Sequence, residues 1–200
     1  RATSVTFSLQ GQPAQAFGWS YDQTGGSFGY GVGRLTAMQF PAGSTSFGYY
    51  ALGRLTGTTQ VVVMDNTVSL STGYGYDAAG HITRVTYPSG RVLYVPHAGG
   101  RPTGMSIAPN ASASAVGLIS GLDFQSGPGE SGPARAWTWQ LNSGTMDQVR
   151  VFDSYGRMVR HPLGGAVRDI RYDEADRITS YTHMNAVNGS PVPALDQGFG

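Results

Sequence analysis

Apolar and polar residues alternate in short runs along most of this chain, and Gly, Pro, Asn or Asp closes nearly every run. A period of two sorts side chains onto the two faces of an extended strand, and the closing residues are those that make tight turns. The pattern predicts strands near Ser4 to Leu9, Gln15 to Tyr21, Arg34 to Phe40, Thr45 to Tyr50, Arg54 to Met64, Thr67 to Tyr76, His81 to Tyr87, Arg91 to Pro96 and Thr103 to Ala108. Further strands are expected near Val116 to Phe124, Ala134 to Leu141, Met146 to Phe152, Arg157 to His161, Val167 to Tyr172 and Arg177 to His183. Stretches 109–115, 125–133 and 187–194 read as loops by composition, and Asn142-Ser143-Gly144-Thr145 reads as a hairpin turn. No run carries the 3.6-residue period of an amphipathic helix, so the expected class is all-β.

Over this alternation lies a recurring turn unit, Tyr-Asp-x-x-Gly-Arg-(Leu/Ile). Gly33, Pro41, Gly43 and Gly53-Arg54 are matched by Gly80, Pro88, Gly90 and Gly100-Arg101 at an offset of 47, with steps of 8, 2 and 10 in both copies. A third copy runs from Gly156 through Pro162 and Gly164 to Asp176-Arg177 with steps of 6, 2 and 12. Self-similarity at a fixed period is the mark of an array. The expected organisation is three units near 15–60, 67–108 and 146–183, a Gly/Pro-rich insert over 109–145, and the start of a further unit at 194–200.

Each position of the unit has a structural reason. Asp accepts hydrogen bonds from backbone N–H groups two residues on, and Gly supplies the positive φ that returns the chain to the next strand. The aromatic before the turn and the Leu or Ile after it should face each other across adjacent strands, a pair worth roughly 0.2–1 kcal/mol. The Arg between them can lay its stem over an aromatic ring and keep its head on a carboxylate or carbonyl. The expected turn residues are Asp22, Gly33, Arg34, Gly43, Gly53, Arg54, Asp77, Gly80, Gly90, Gly100, Arg101, Asp153, Gly156, Arg157, Asp173 and Arg177. Departures are His81 in an Arg slot, Tyr50 in an Asp slot and Asp176 in a Gly slot.

Composition supports strands and removes several functions. Thirty Gly, 11 Pro and 11 Tyr with only 12% charged residues favour many short strands joined by turns. The net charge is +1 and all 13 basic residues are Arg, spread singly, so no basic patch for nucleic acid is expected. Without Cys there are no disulfides and no thiolate chemistry. No apolar run is long enough to insert in a membrane, and Arg1 to Gln10 is not an export signal. Both ends read as cuts in a longer chain.

Candidate chemistry is sparse. His81, His97, His161 and His183 lack ligand spacing, so no metal or other cofactor is expected. Asp123 and Glu130, flanking a Gly/Pro-rich loop, are the least unsuitable acid pair for a glycosidase, although nothing in the spacing fixes their separation. No Gly-x-Ser-x-Gly elbow exists, and Gly29-Tyr30-Gly31-Val32-Gly33 cannot be a P-loop in a chain without Lys. It reads as an enlarged hairpin, and the chain is expected not to be an enzyme. The aromatics leave a sugar-stacking surface open as a binding role.

Tyr-Asp-Ala-Ala-Gly-His-Ile-Thr at 76–83, Phe-Asp-Ser-Tyr-Gly-Arg-Met at 152–158, Tyr-Asp-Glu-Ala-Asp-Arg-Ile-Thr at 172–179 and the Gly-Arg-Leu-Thr runs at 33–36 and 53–56 resemble the RHS, or YD, repeat family. The Trp137-Thr138-Trp139 strand is similar to one often found between repeats in its bacterial members. The resemblance implies a curved, twisted sheet strip that spirals into a hollow shell, enclosing a toxic C-terminal domain in bacteria and forming the teneurin barrel in animals. It further implies a secreted or cell-surface location, with the other repeats and the enclosed domain as partners. The self-cleaving core region of such shells, with its Asp-Pro-x-Gly stretch, has no counterpart here. A cell-surface adhesion or carbohydrate-binding module is the competing expectation.

Overall fold

The computed structural model describes residues 1–8, 10–125 and 132–199. Leu9, Glu130, the middle of the loop expected at 125–133 and Gly200 lie outside the described residues. Among the described residues every regular element is a strand apart from one 3-10 turn at Pro193–Leu195. The chain divides into two compact units, Arg1–Gly100 with Ile107–Val116 and Arg101–Ser106 with Gly117–Gly200.

In the first unit, successive strands pair antiparallel in chain order. Ser4–Phe7 lies on Gln15–Tyr21, which lies on Leu35–Phe40, followed by Gly43–Tyr49, Leu55–Val63, Thr67–Tyr76, Ile82–Thr86 and Val92–Tyr94. The enlarged hairpin is real and more elaborate than a single turn. Thr24–Gly25 pairs with Gly29–Tyr30, and Gly29 then adds one parallel bridge to Tyr49. This small ribbon lies so close to the sheet that a Cβ on Gly48 would sit 2.3 Å from the Ser27 carbonyl oxygen, which leaves room only for glycine.

The second unit carries two runs. Val116–Phe124, Ala134–Leu141 and Gly144–Val149 form one antiparallel run, and Val151–Phe152, Met158–Leu163, Ala166–Tyr172, Ile178–Asn185 and Gln197–Gly198 form another. The single strand expected from Met146 to Phe152 is therefore two. The Arg150 N–H still bonds back to the Arg135 carbonyl at 2.7 Å, whereas Val151 already pairs with Arg160, so the chain changes partners at that peptide. Alternation cannot reveal this, because both halves keep the same period. The hairpin turn expected at 142–145 is tighter than anticipated, since Gly144 pairs with Leu141 and leaves Asn142-Ser143 as the corner. The loop expected at 187–194 bridges to the sheet through Pro191 and Met184 before entering the 3-10 turn.

The core is thin. Among the described residues the buried apolar side chains are Val92 and Ala108 in the first unit and Ala166 and Ile170 in the second. Most strand residues are half-buried, so stability must come from backbone ladders, cross-strand pairs and the contacts made by the turns.

Candidate functional site

The residues that distinguish this chain gather at its turns, which share one geometry. In the turn 77–81 the Asp77 N–H donates to the His81 carbonyl at 3.0 Å, and the Gly80 N–H donates to the Asp77 carbonyl at 3.1 Å. The same two bonds recur at 153–157 and 173–177, and also at 50–54 and 87–91. Tyr50 and Tyr87 stand in the Asp position of those last two, so the backbone closes without the carboxylate.

What the carboxylate adds is a clip on the residue four places on. Asp153 Oδ1 accepts the N–H groups of Tyr155 and Arg157, and Oδ2 accepts from Arg157 Nε at 2.8 Å. Asp173 holds Ala175 and Arg177 in the same way. Asp77 holds Gly80, His81 and the His81 ring. The two-residue reach expected from sequence is thus only part of the bond set, and in Asp77 it is replaced by bonds to residues three and four places on. Asp22 spans its enlarged loop to take the Gly33 N–H at 2.6 Å.

These bonds favour the charged carboxylates. The His81 ring is the main cause that draws Asp77 down to about 2, and the Gly33 N–H is the main cause for Asp22. In Asp173 the Arg177 N–H leads. In Asp153 desolvation pulls upward most strongly, yet the summed bonds from Arg157 and Tyr155 outweigh it and the pKa is lowered.

The aromatic and the Leu or Ile of each unit are direct cross-strand partners: Tyr21 with Leu35, Tyr49 with Leu55, Tyr76 with Ile82, Phe152 with Met158 and Tyr172 with Ile178. At each of these five places the register shifts, leaving one residue bulged: Thr36, Thr56, Thr83, Val159 and Thr179. This gives a reason for the Thr that follows Gly-Arg-Leu. A bulge kinks and twists the strand next to the turn. Thr36 is fully buried there and donates its hydroxyl to the Ser20 carbonyl at 3.0 Å. Sequence reasoning missed the role, although a β-branched residue at a fixed place in all five copies, threonine in four of them, was its signal.

The cation of one turn reaches the next. Arg34 lies over Tyr49, Arg54 over Tyr76 and Arg157 over Tyr172, with the guanidinium carbon 5.5, 5.7 and 4.8 Å from the ring centroids. Arg1 stands in the same relation to Tyr21 and also pairs with Asp22. Arg101 covers Phe124. The glycine of the receiving turn is the floor of the slot. A Cβ on Gly53 would lie 2.4 Å from Arg34 Nη2, and one on Gly80 would lie 2.6 Å from Arg54 Nη2. Both glycines have positive φ, +83° and +98°, so they are fixed by backbone and by neighbour together. Asp176 fills this slot in the last turn at φ +62° and pairs with Arg157 Nη1 at 2.6 Å.

Of the remaining anchors, Gly33, Gly43, Gly90, Gly100 and Gly156 all have positive φ. Residues 66–111 match the model of the RHS repeat. The chain carries an RHS repeat. Its fold is similar to that in the crystal structure of TcdB2-TccC3-TEV, with a TM-score of 0.77 at 11% identity over 100% of this chain and 11% of that one. It is also similar to TcdB2-TccC3 without its hypervariable C-terminal region, with a TM-score of 0.51 at 10% identity over 95% of this chain and 14% of that one. This chain therefore spans about a tenth of the length of the structures it matches. A search of curated proteins found no match.

The RHS repeat segment holds the cleanest turn, 77–81, where the His81 ring stacks on His97, and of the other candidate groups Asp123 and His183 are engaged. Asp123 is bonded to Arg135 and to the Phe124 N–H, with the Arg135 side chain the leading cause of a lowered pKa. Its suggested partner Glu130 lies outside the described residues. His183 is 2% exposed and has both ring nitrogens engaged, by Asp196 and Arg168. Among the described residues no three His, Asp or Glu side chains are placed to hold a metal ion, and no helix is long and apolar enough to cross a membrane.

Proposed function

We propose that this chain is a non-catalytic wall segment of an RHS-type β-shell, in which a larger secreted bacterial protein encloses its C-terminal polypeptide, a toxin. The observation that carries the reading is the turn ladder, in which Arg34 and Arg54 cover the aromatic and the glycine of the next turn and Arg157 covers Tyr172 and pairs with Asp176. Such contacts tie each hairpin to its chain neighbour, which suits a wall built by adding units at one edge. The thin core suits it too, because a wall has two faces. The turn residues from Asp22 to Arg177 then act in construction rather than catalysis, in units near 15–60, 67–108 and 146–183. The hypervariable C-terminal region named for the TcdB2-TccC3 relative supports a distinct C-terminal polypeptide as the cargo.

The wall works by exclusion: paired backbone leaves no path for water or protease through the sheet. Limited proteolysis of the intact parent tests this. The C-terminal polypeptide should survive far longer within the parent than alone, and equal digestion rates would end the proposal.

A second reading, a carbohydrate-binding surface, rests on Tyr30 and Tyr50, which are 62% and 44% exposed on either side of Ala51 beside Arg34 and Arg54. Exposed rings with polar neighbours can stack on sugars. A glycan array with the folded chain that shows no binding removes it.

A further inference from the structure

In the turns at 33–34, 53–54, 156–157 and 176–177 the cation slot holds arginine, which stays charged at any accessible pH. In the turn 77–81 it holds His81, whose ring stacks on His97 with centroids 4.9 Å apart and planes 15° from parallel. His81 Nδ1 lies 2.8 Å from Asp77 Oδ2, and His97 Nδ1 lies 2.9 Å from the Val95 carbonyl oxygen. Carboxylate and carbonyl can only accept, so both Nδ1 atoms carry hydrogen and each ring gains charge by taking a proton at Nε2.

We propose that His81 and His97 form a proton-gated rung, closed with one proton on the pair and opened by a second. The first proton goes to His81, which has the Asp77 carboxylate beside it, and gives a cation over a neutral ring as in the arginine rungs. His97 has only a carbonyl for support. A second proton there sets two cations face to face, with no second carboxylate to compensate. The charged groups beside the pair are Asp77 on the same turn and Arg54 on the turn before, whose guanidinium packs at Gly80 and donates to the Asp77 carbonyl. Arg54 is positive, so it too opposes the second proton. Acid thus releases the 95–100 segment from the turn 77–81 while the arginine rungs hold.

The test is an NMR titration of both imidazoles in the full 200-residue chain from about pH 8 to pH 4, with amide exchange corrected for intrinsic rate. Expected are two separated steps, His81 before His97, with the Val95 amide, bonded to the Thr83 carbonyl, exchanging about tenfold faster after the second. In His81→Phe the His97 step should move to higher pH, and in His97→Tyr the acid-induced exchange should vanish. Both variants keep a ring in the stack. Coincident, independent titration in the unmodified chain, an unmoved His97 step in His81→Phe, or exchange that persists in His97→Tyr would each overturn the gate.

Discussion

The turns 50–54 and 173–177 close with the same two backbone bonds and solve one problem in opposite ways. Each receives a guanidinium from the turn before it. In the first, the slot residue is Gly53, and Arg34 occupies the space a side chain would need. In the second it is Asp176, and Arg157 meets a carboxylate instead of a vacancy. The lesson is that the glycines at 53 and 80 answer two demands, positive φ and room for a cation, whereas Gly33, Gly90 and Gly156 face open space and answer only the first. An aspartate can meet the first at modest strain and turn the second into an ion pair.

The largest expected effect comes from denying both demands at once. Gly80→Val puts a β-branched residue at φ +98° against Arg54, and should cost on the order of 2 kcal/mol or more. Denaturant unfolding measures it, and unchanged stability would mean the slot is not as described.

Next comes the sharper contrast. Gly53→Asp should cost less than Gly53→Val by about 1 kcal/mol, because Arg34 can pair with the new carboxylate. Equal losses in the two variants would show that strain alone decides and that Asp176 owes nothing to Arg157.

Acid should then separate clipped from unclipped turns. The folded pKa values of Asp22, Asp77, Asp153 and Asp173 are lowered from 3.8, so their stabilisation is complete above the unfolded value and is lost as pH falls through the folded one. For Asp77 that window runs from 3.8 down to about 2. Exchange of the turn amides His81, Arg157 and Arg177 should rise across it, whereas Gly53 and Gly90, bonded only to carbonyls, should hold. A uniform rise would place the loss elsewhere.

The smallest effect per molecule is also the easiest to see. The outer edge of Ser4–Phe7 exposes Val5 and Phe7, at 38% and 58%, so the 200-residue chain should self-associate as concentration rises. Sedimentation that finds a monomer at high concentration would contradict this.

Most strands stand within one or two residues of their expected places, because alternation and turn residues are local and the ladder simply follows chain order. Where an element depended on a partner, sequence was blind: the break at Arg150 and the parallel bridge from Gly29 to Tyr49 have no local signature. The turn anchors were legible as a spacing, and the facing of Tyr76 and Ile82 followed from hairpin geometry. Why Thr follows Gly-Arg-Leu was not, since a bulge is a relation between two strands.

By itself the sequence determined the strand class, the turn positions and the identity of the repeat, all consequences of short-range backbone and pairing preferences. Only the tertiary structure decided where each arginine goes. A guanidinium on a long flexible stem can reach its own turn or the next one, and that choice depends on which glycine leaves a space and which carboxylate stands in it.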